Sequence, residues 1–220
     1  MIRTLLNALR AASSLKEVKD ISSSMLSETE NMYRMVADVL LRRVPAEKIR
    51  SEIYAKDKQV NQKEREIRRK LVSHLSLSLA DAPTCLVIMS VVKDIERIGD
   101  YCKNIFEVAN IYTIPDSQAR YAGPLQEIGE EITTLFDKGR KAFGESDEPL
   151  AMEVIGEEQV IAKKCDMLIK QVLSDTLPTT EAVSTALLSR YFKRVVGHLG
   201  NVVSSVVAAV EDIDFFPKAR

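Results

Sequence analysis

Apolar residues recur three and four positions apart in six stretches of the chain, at residues 15–43, 46–80, 83–112, 124–144, 148–175 and 179–212. That spacing gathers them on one face of a helix, and no stretch alternates with the period of two that a half-buried strand needs. Pro45, Pro83, Pro115, Pro124, Pro149, Pro178 and Pro217 fall near the ends of these stretches. Proline suits the first turn of a helix and disrupts its interior, so these positions mark boundaries. The pattern predicts an all-α chain of six helices. Helices of about 30 residues run about 45 Å at 1.5 Å per residue. The short connections at residues 44–45 and 81–83 predict elongated antiparallel neighbours.

Residues 113–123 collect Pro, Asp, Ser and Gly near the midpoint and read as a linker. A midpoint linker prompts a search for a repeat. Aligning Asn104 with Asn201 sets Arg97 against Arg194 and Tyr101 against His198. It also lays the seam Ile88, Val91, Ile95, Ile98, Cys102, Ile105, Ala109 on Thr185, Leu188, Phe192, Val195, Leu199, Val202, Val206. Every pair but the first is apolar in both copies. The middle helices pair DKQV at 57–60 with EEQV at 157–160, which sets Glu64 against Lys164. The expected architecture is two tandem three-helix bundles related by an internal repeat, at residues 15–112 and 124–212. An amphipathic arm at 1–14, spaced Ile2, Leu5, Leu6, Leu9, would precede them, and a tail at 213–220 would follow. The arm could touch anionic lipid or a transporter, or pack on the bundle or a second subunit.

Composition narrows the function. Among 220 residues, 8 Gly, 7 Pro and 5% aromatics suit long helices filled with aliphatic side chains. A net charge of −1 gives no electrostatic case for nucleic-acid binding. Cys85, Cys102 and Cys165 are odd in number and widely spaced, which reads as reduced thiols of a cytoplasmic protein. The longest charge-free run, 195–210, is too short to span a bilayer. Nucleotide-loop and hydrolase motifs are absent from the sequence, so an enzyme is not expected. A ferritin-like metal enzyme would need E-x-x-H pairs, and neither His74 nor His198 has a Glu three residues before it.

The densest polar group is Asp94, Glu96, Asp100, Asn104 and Glu107. Glu96 and Asp100, four apart, share one helix face, and Asp57, Asn61 and Glu64 form a second stripe. Carboxylates held together and shielded from water need a counter-charge or a hard cation. Such stripes on adjacent helices suit a carboxylate metal site; equally, they suit a solvated surface with Arg97 and Lys103 as partners.

KDIERIGDYCKNIFEVA closely resembles the signature helix of the PhoU family, matching at Glu96, Arg97, Ile98, Gly99, Asp100, Asn104, Ile105 and Glu107. DKQVNQKEREI at 57–67 looks like that family's middle helix, and SRYFKRVVGHLGNVV resembles its second signature. The resemblance implies a regulator of phosphate uptake and phosphate signalling. It would act as an adaptor to a phosphate transporter, of ABC or sodium–phosphate type, or to the associated histidine kinase. It also implies a homodimer, cytoplasmic or peripheral at the inner face of the membrane, with no organic cofactor. Some members bind iron or zinc through E-x-x-x-D motifs, which implies metal ligands at Glu96 and Asp100 with Asp57 beside them. In the second copy Lys193 and Gly197 replace the acidic pair, so any metal belongs to the first. The alternative is a metal-free helical scaffold or accessory subunit of a membrane transporter. His198, beside Lys193 and Arg194, reads as a structural or surface residue, His74 as a packed helix residue and Cys102 as a small hydrophobe on the core seam.

Overall fold

The computed structural model describes the backbone of residues 2–111, 119–209 and 212, and within these the side chains from residue 12 onward. Six α-helices follow one another: α1 Ile2–Leu40, α2 Ala46–Leu75, α3 Ala82–Ile111, α4 Ala122–Glu145, α5 Glu148–Leu173 and α6 Thr179–Ser204. A 3-10 turn at Leu79–Asp81 joins α2 to α3, and no strand occurs among the described residues. The backbone of α1 runs unbroken from Ile2, taking in the expected arm. Side chains of residues 2–11, residues 113–118 of the expected linker and the tail at 213–220 lie outside the described residues.

Two of the turns that join paired helices are closed tightly. Beyond α1 and α4, Arg42 and Ser146 both adopt a left-handed φ of 54°. The next amide in each case reaches back to a helix carbonyl, Arg43 to Asp38 at 2.9 Å and Asp147 to Ala142 at 3.0 Å. This closure ends one helix and turns the chain directly into an antiparallel partner. Asp147 then caps α5 by accepting from the Leu150 amide at 3.0 Å. Salt bridges and hydrogen bonds confirm the antiparallel run of α1 and α2, with Lys70 on Glu17 at 2.8 Å, Lys63 on Ser24 at 2.9 Å and Lys56 on Glu28 at 2.5 Å.

Burial fixes the repeat. On α3 and α6 the buried residues coincide under the Asn104–Asn201 alignment, Ile95 with Phe192, Ile98 with Val195 and Cys102 with Leu199. The middle helices need a correction. Val60 is buried, yet Val160 is 55% exposed. The buried series Ile53, Val60, Ile67, Leu71 on α2 answers Val154, Ile161, Leu168, Val172 on α5. The register is one residue further along, so Glu64 is answered by Cys165 and Lys164 by Lys63. Their contacts agree, because Lys164 reaches Glu127 on α4 as Lys63 reaches Ser24 on α1. The match of DKQV to EEQV lay mostly in surface letters, which packing does not constrain.

The two bundles lie side by side on one continuous core. Aligned by burial, the first helices pair Tyr33 with Phe136 and Arg34 with Asp137. These mates touch each other: the two rings are 5.2 Å apart, and Arg34 Nη2 is 2.7 Å from Asp137. The same holds for Tyr101 and His198, stacked at 5.6 Å with their planes at 20°. Residues meeting their own repeat mates define an approximate two-fold axis between the bundles. α1 and α3 face α4 and α6 across it, with α2 and α5 outside.

Candidate functional site

Asp57, Asn61 and Glu64 lie on α2 along its junction with α3, on the side where Glu96, Asp100 and Lys103 stand. Asp57 stands opposite Asp100 because α2 and α3 are antiparallel and their apolar seams, through Val60 and Ile98, are buried between them. Gly99 lies where α1, α2 and α3 approach. A Cβ there would sit 3.5 Å from Val60 and 3.7 Å from Met32 and Thr29, so a glycine is not obligatory.

Cations fill this face. Lys103 Nζ bridges the helices, 3.2 Å from Asp57 Oδ1 and 3.3 Å from Asp100 Oδ1. Arg97 reaches the other Asp100 oxygen at 3.0 Å and Glu96 at 3.5 Å, and Arg68 holds Glu64 at 2.7 Å. Asn61 turns its amide onto the Asp57 carbonyl at 3.0 Å. Burial pulls the Lys103 ammonium down, but its hydrogen bonds and charge interactions with Asp57 and Asp100 outweigh this and leave its pKa raised. Burial pushes the Glu96 carboxyl up; Asp100, Glu64 and Asp57 push the same way and Arg97 opposes them. Four carboxylates thus share three cations, and Glu96 is the least compensated.

The structure brings Asp57 and Asp100 together through Lys103 and keeps Glu96 beside them. It does not converge the three as a coordination shell. Among the described residues, no three His, Cys, Asp or Glu side chains are placed to hold a metal ion. With an ammonium between Asp57 and Asp100, the site as folded does not fit a metal. The other acids of the α3 constellation diverge. Asp94 is buried against α6, where His198 Nδ1 lies 2.6 Å away and Asn201 donates at 3.2 Å. Glu107 accepts from Tyr54 at 3.1 Å.

The remaining candidates are structural. His74 is fully buried with Nε2 3.0 Å from Asp81, clasping the α2–α3 turn. Burial raises the thiols of Cys102 and Cys165, the latter to about 12, so neither is an activated nucleophile. A cleft of about 520 Å³ opens between α1, α4 and α6, floored by Tyr33, Leu188 and Phe192. Its arginines are already engaged, Arg34 by Glu30 and Asp137 and Arg43 by Asp38. The charged set across the two bundles, Glu30 with Arg34 and Arg140, was not legible in the sequence. The only signal, opposite charge at the mates Arg34 and Asp137, needs the register that burial supplies.

Known proteins share this architecture. The PhoU domain family matches residues 22–109, from within α1 to near the end of α3. The phosphate-specific transport system accessory protein PhoU homolog of Pseudomonas aeruginosa is 22% identical over 206 residues, covering 90% of this chain and 85% of that one. The accessory protein PhoU of Escherichia coli is 31% identical over 113 residues, 51% of this chain and 44% of its own. Among solved structures, PhoU from Pseudomonas aeruginosa superposes with a TM-score of 0.81 at 19% identity, covering 91% of this chain and 98% of that one. The phosphate transport system regulatory protein PhoU from Streptococcus pneumoniae gives 0.72 at 17%, covering 94% and 99%.

Proposed function

We propose that this chain, which matches the PhoU domain family at residues 22–109, is an accessory regulator of phosphate uptake that docks on a phosphate transporter and on the sensor kinase associated with it. The observation that carries this reading is the PhoU domain at residues 22–109, set in a chain whose helices follow PhoU structures over nine-tenths of its length. We infer that the protein works by contact with its partners, as the accessory role printed for its relatives suggests. No helix of the described residues is long and apolar enough to cross a membrane. We place the protein at the cytoplasmic face, reaching its transporter as a peripheral partner. Val72, Leu79 and Leu86, all more than 60% exposed near the α2–α3 turn, offer apolar surface to a transporter or to a second copy in a homodimer.

Deleting the gene tests this. The expected result is altered phosphate uptake and altered phosphate-responsive transcription, both restored by the intact gene. Unchanged uptake and transcription would sink the proposal. The metal-free scaffold reading gains support from Lys103, and it concerns how the protein is held together rather than what it regulates.

A further inference from the structure

The resemblance points to iron or zinc between α2 and α3, but the side chains there already hold a cation of another kind. Lys103 leaves α3 and places its ammonium 3.2 Å from Asp57 on α2 and 3.3 Å from Asp100 on its own helix. That is the place a bridging ion would take between the same two carboxylates. A divalent ion beside a fixed ammonium meets strong like-charge repulsion in a half-shielded site. Arg97 and Arg68 complete the compensation from either side, on Asp100, Glu96 and Glu64.

Two further observations bear on the same point. Under the α3–α6 alignment Asp100 corresponds to Gly197 and Lys103 to Gly200, so acid and ammonium are present together in one copy and absent together in the other. Glu158, the mate of Asp57, lies across those two glycines instead, its Cγ 3.2 Å from where a Gly200 Cβ would be. The chain also uses the same device elsewhere. Lys138 sits between Glu153 at 2.7 Å and Glu157 at 2.6 Å, and Lys164 between Glu127 and Glu131. Both lysines tie neighbouring helices together through carboxylate pairs.

We propose that the cation of the first bundle's acidic motif is the ammonium of Lys103, so that α2 and α3 are joined there without a metal, and a divalent ion gains the site only when Lys103 is neutralised. Ammonium and metal compete for one position between Asp57 and Asp100.

The test is metal content and Mn²⁺ or Zn²⁺ calorimetry on the full chain purified without chelator, as wild type, Lys103→Gln and Lys103→Met. Wild type is expected to carry no stoichiometric metal and to melt at the same temperature with and without EDTA. Either Lys103 variant, shown to be helical by circular dichroism, is expected to bind Mn²⁺ at least about tenfold more tightly, since one like charge has left the site. Stoichiometric iron or zinc in wild type, lost in Glu96→Gln with Asp100→Asn, would overturn the proposal. So would folded Lys103 variants that bind no more tightly than wild type. Should neither variant fold, the wild-type metal content and its response to EDTA still decide. These readouts are independent of the phosphate phenotype, so the docking role and the lysine cation can fail separately.

Discussion

Glu96 carries the least comfortable charge on the acidic face. Burial raises its pKa first, Asp100 adds to the rise, and Arg97 only partly offsets both. A carboxyl whose folded value lies above its unfolded one contributes stability when protonated. That contribution is complete below the ordinary carboxylate range and is lost as pH rises through the raised folded value. Glu96→Gln is therefore expected to raise the melting temperature at neutral pH, with the gain vanishing below the ordinary carboxylate range. Thermal melts of both proteins across pH check this, and a lower neutral-pH melting temperature in the variant would contradict it. The acids themselves were legible in the sequence, because i, i+4 spacing alone places Glu96 and Asp100 on one face. What joins them was not, since Lys103 finds Asp57 through the packing of α2 against α3.

At the scale of helices, two glycines separate close packing from mere permissiveness. An added Cβ at Gly139 on α4 would lie 3.1 Å from Leu199 Cδ1 and 3.4 Å from its Cγ. Leu199 is fully buried and has nowhere to retreat. Overpacking typically costs about 1–3 kcal/mol, more than the roughly 1 kcal/mol that alanine gains over glycine in a helix. At Gly200 on α6 the neighbour is the methylene stem of half-buried Glu158, which is less enclosed than Leu199 and can yield by a few tenths of an ångström. Urea denaturation is expected to show Gly139→Ala destabilised by about 1 kcal/mol and Gly200→Ala stabilised by up to about 1 kcal/mol. The same sign at both positions would refute the distinction. Proline and apolar spacing predicted most helix boundaries closely, because both act locally. The register between middle helices went astray by one residue because Val60 and Val160 look alike as letters and differ completely in burial. Periodicity says that a helix has a buried face; it takes the neighbour to say which residue centres it.

Across the whole molecule, Asp94 is a buried polar pin between bundles. Only 2% exposed, it accepts from Asn201 and pairs with His198, both on α6. Asp94→Ala leaves those groups without their acceptor, a loss of about 1–3 kcal/mol for buried polar groups. Since one core runs through both bundles, the variant is expected to unfold in a single transition at lower denaturant, followed by circular dichroism. Two resolved transitions would show that the bundles unfold separately. The approximate two-fold axis has a consequence for how the halves recognise each other. Arg34 and Asp137 are mates that meet on it with opposite charge, 2.7 Å apart. Two copies of the first half, docked by the same operation, would set arginine against arginine, and two copies of the second would set aspartate against aspartate. Divergence at this one pair tilts a surface that could accept its own duplicate towards its sibling, favouring the mixed pairing of halves over either identical one.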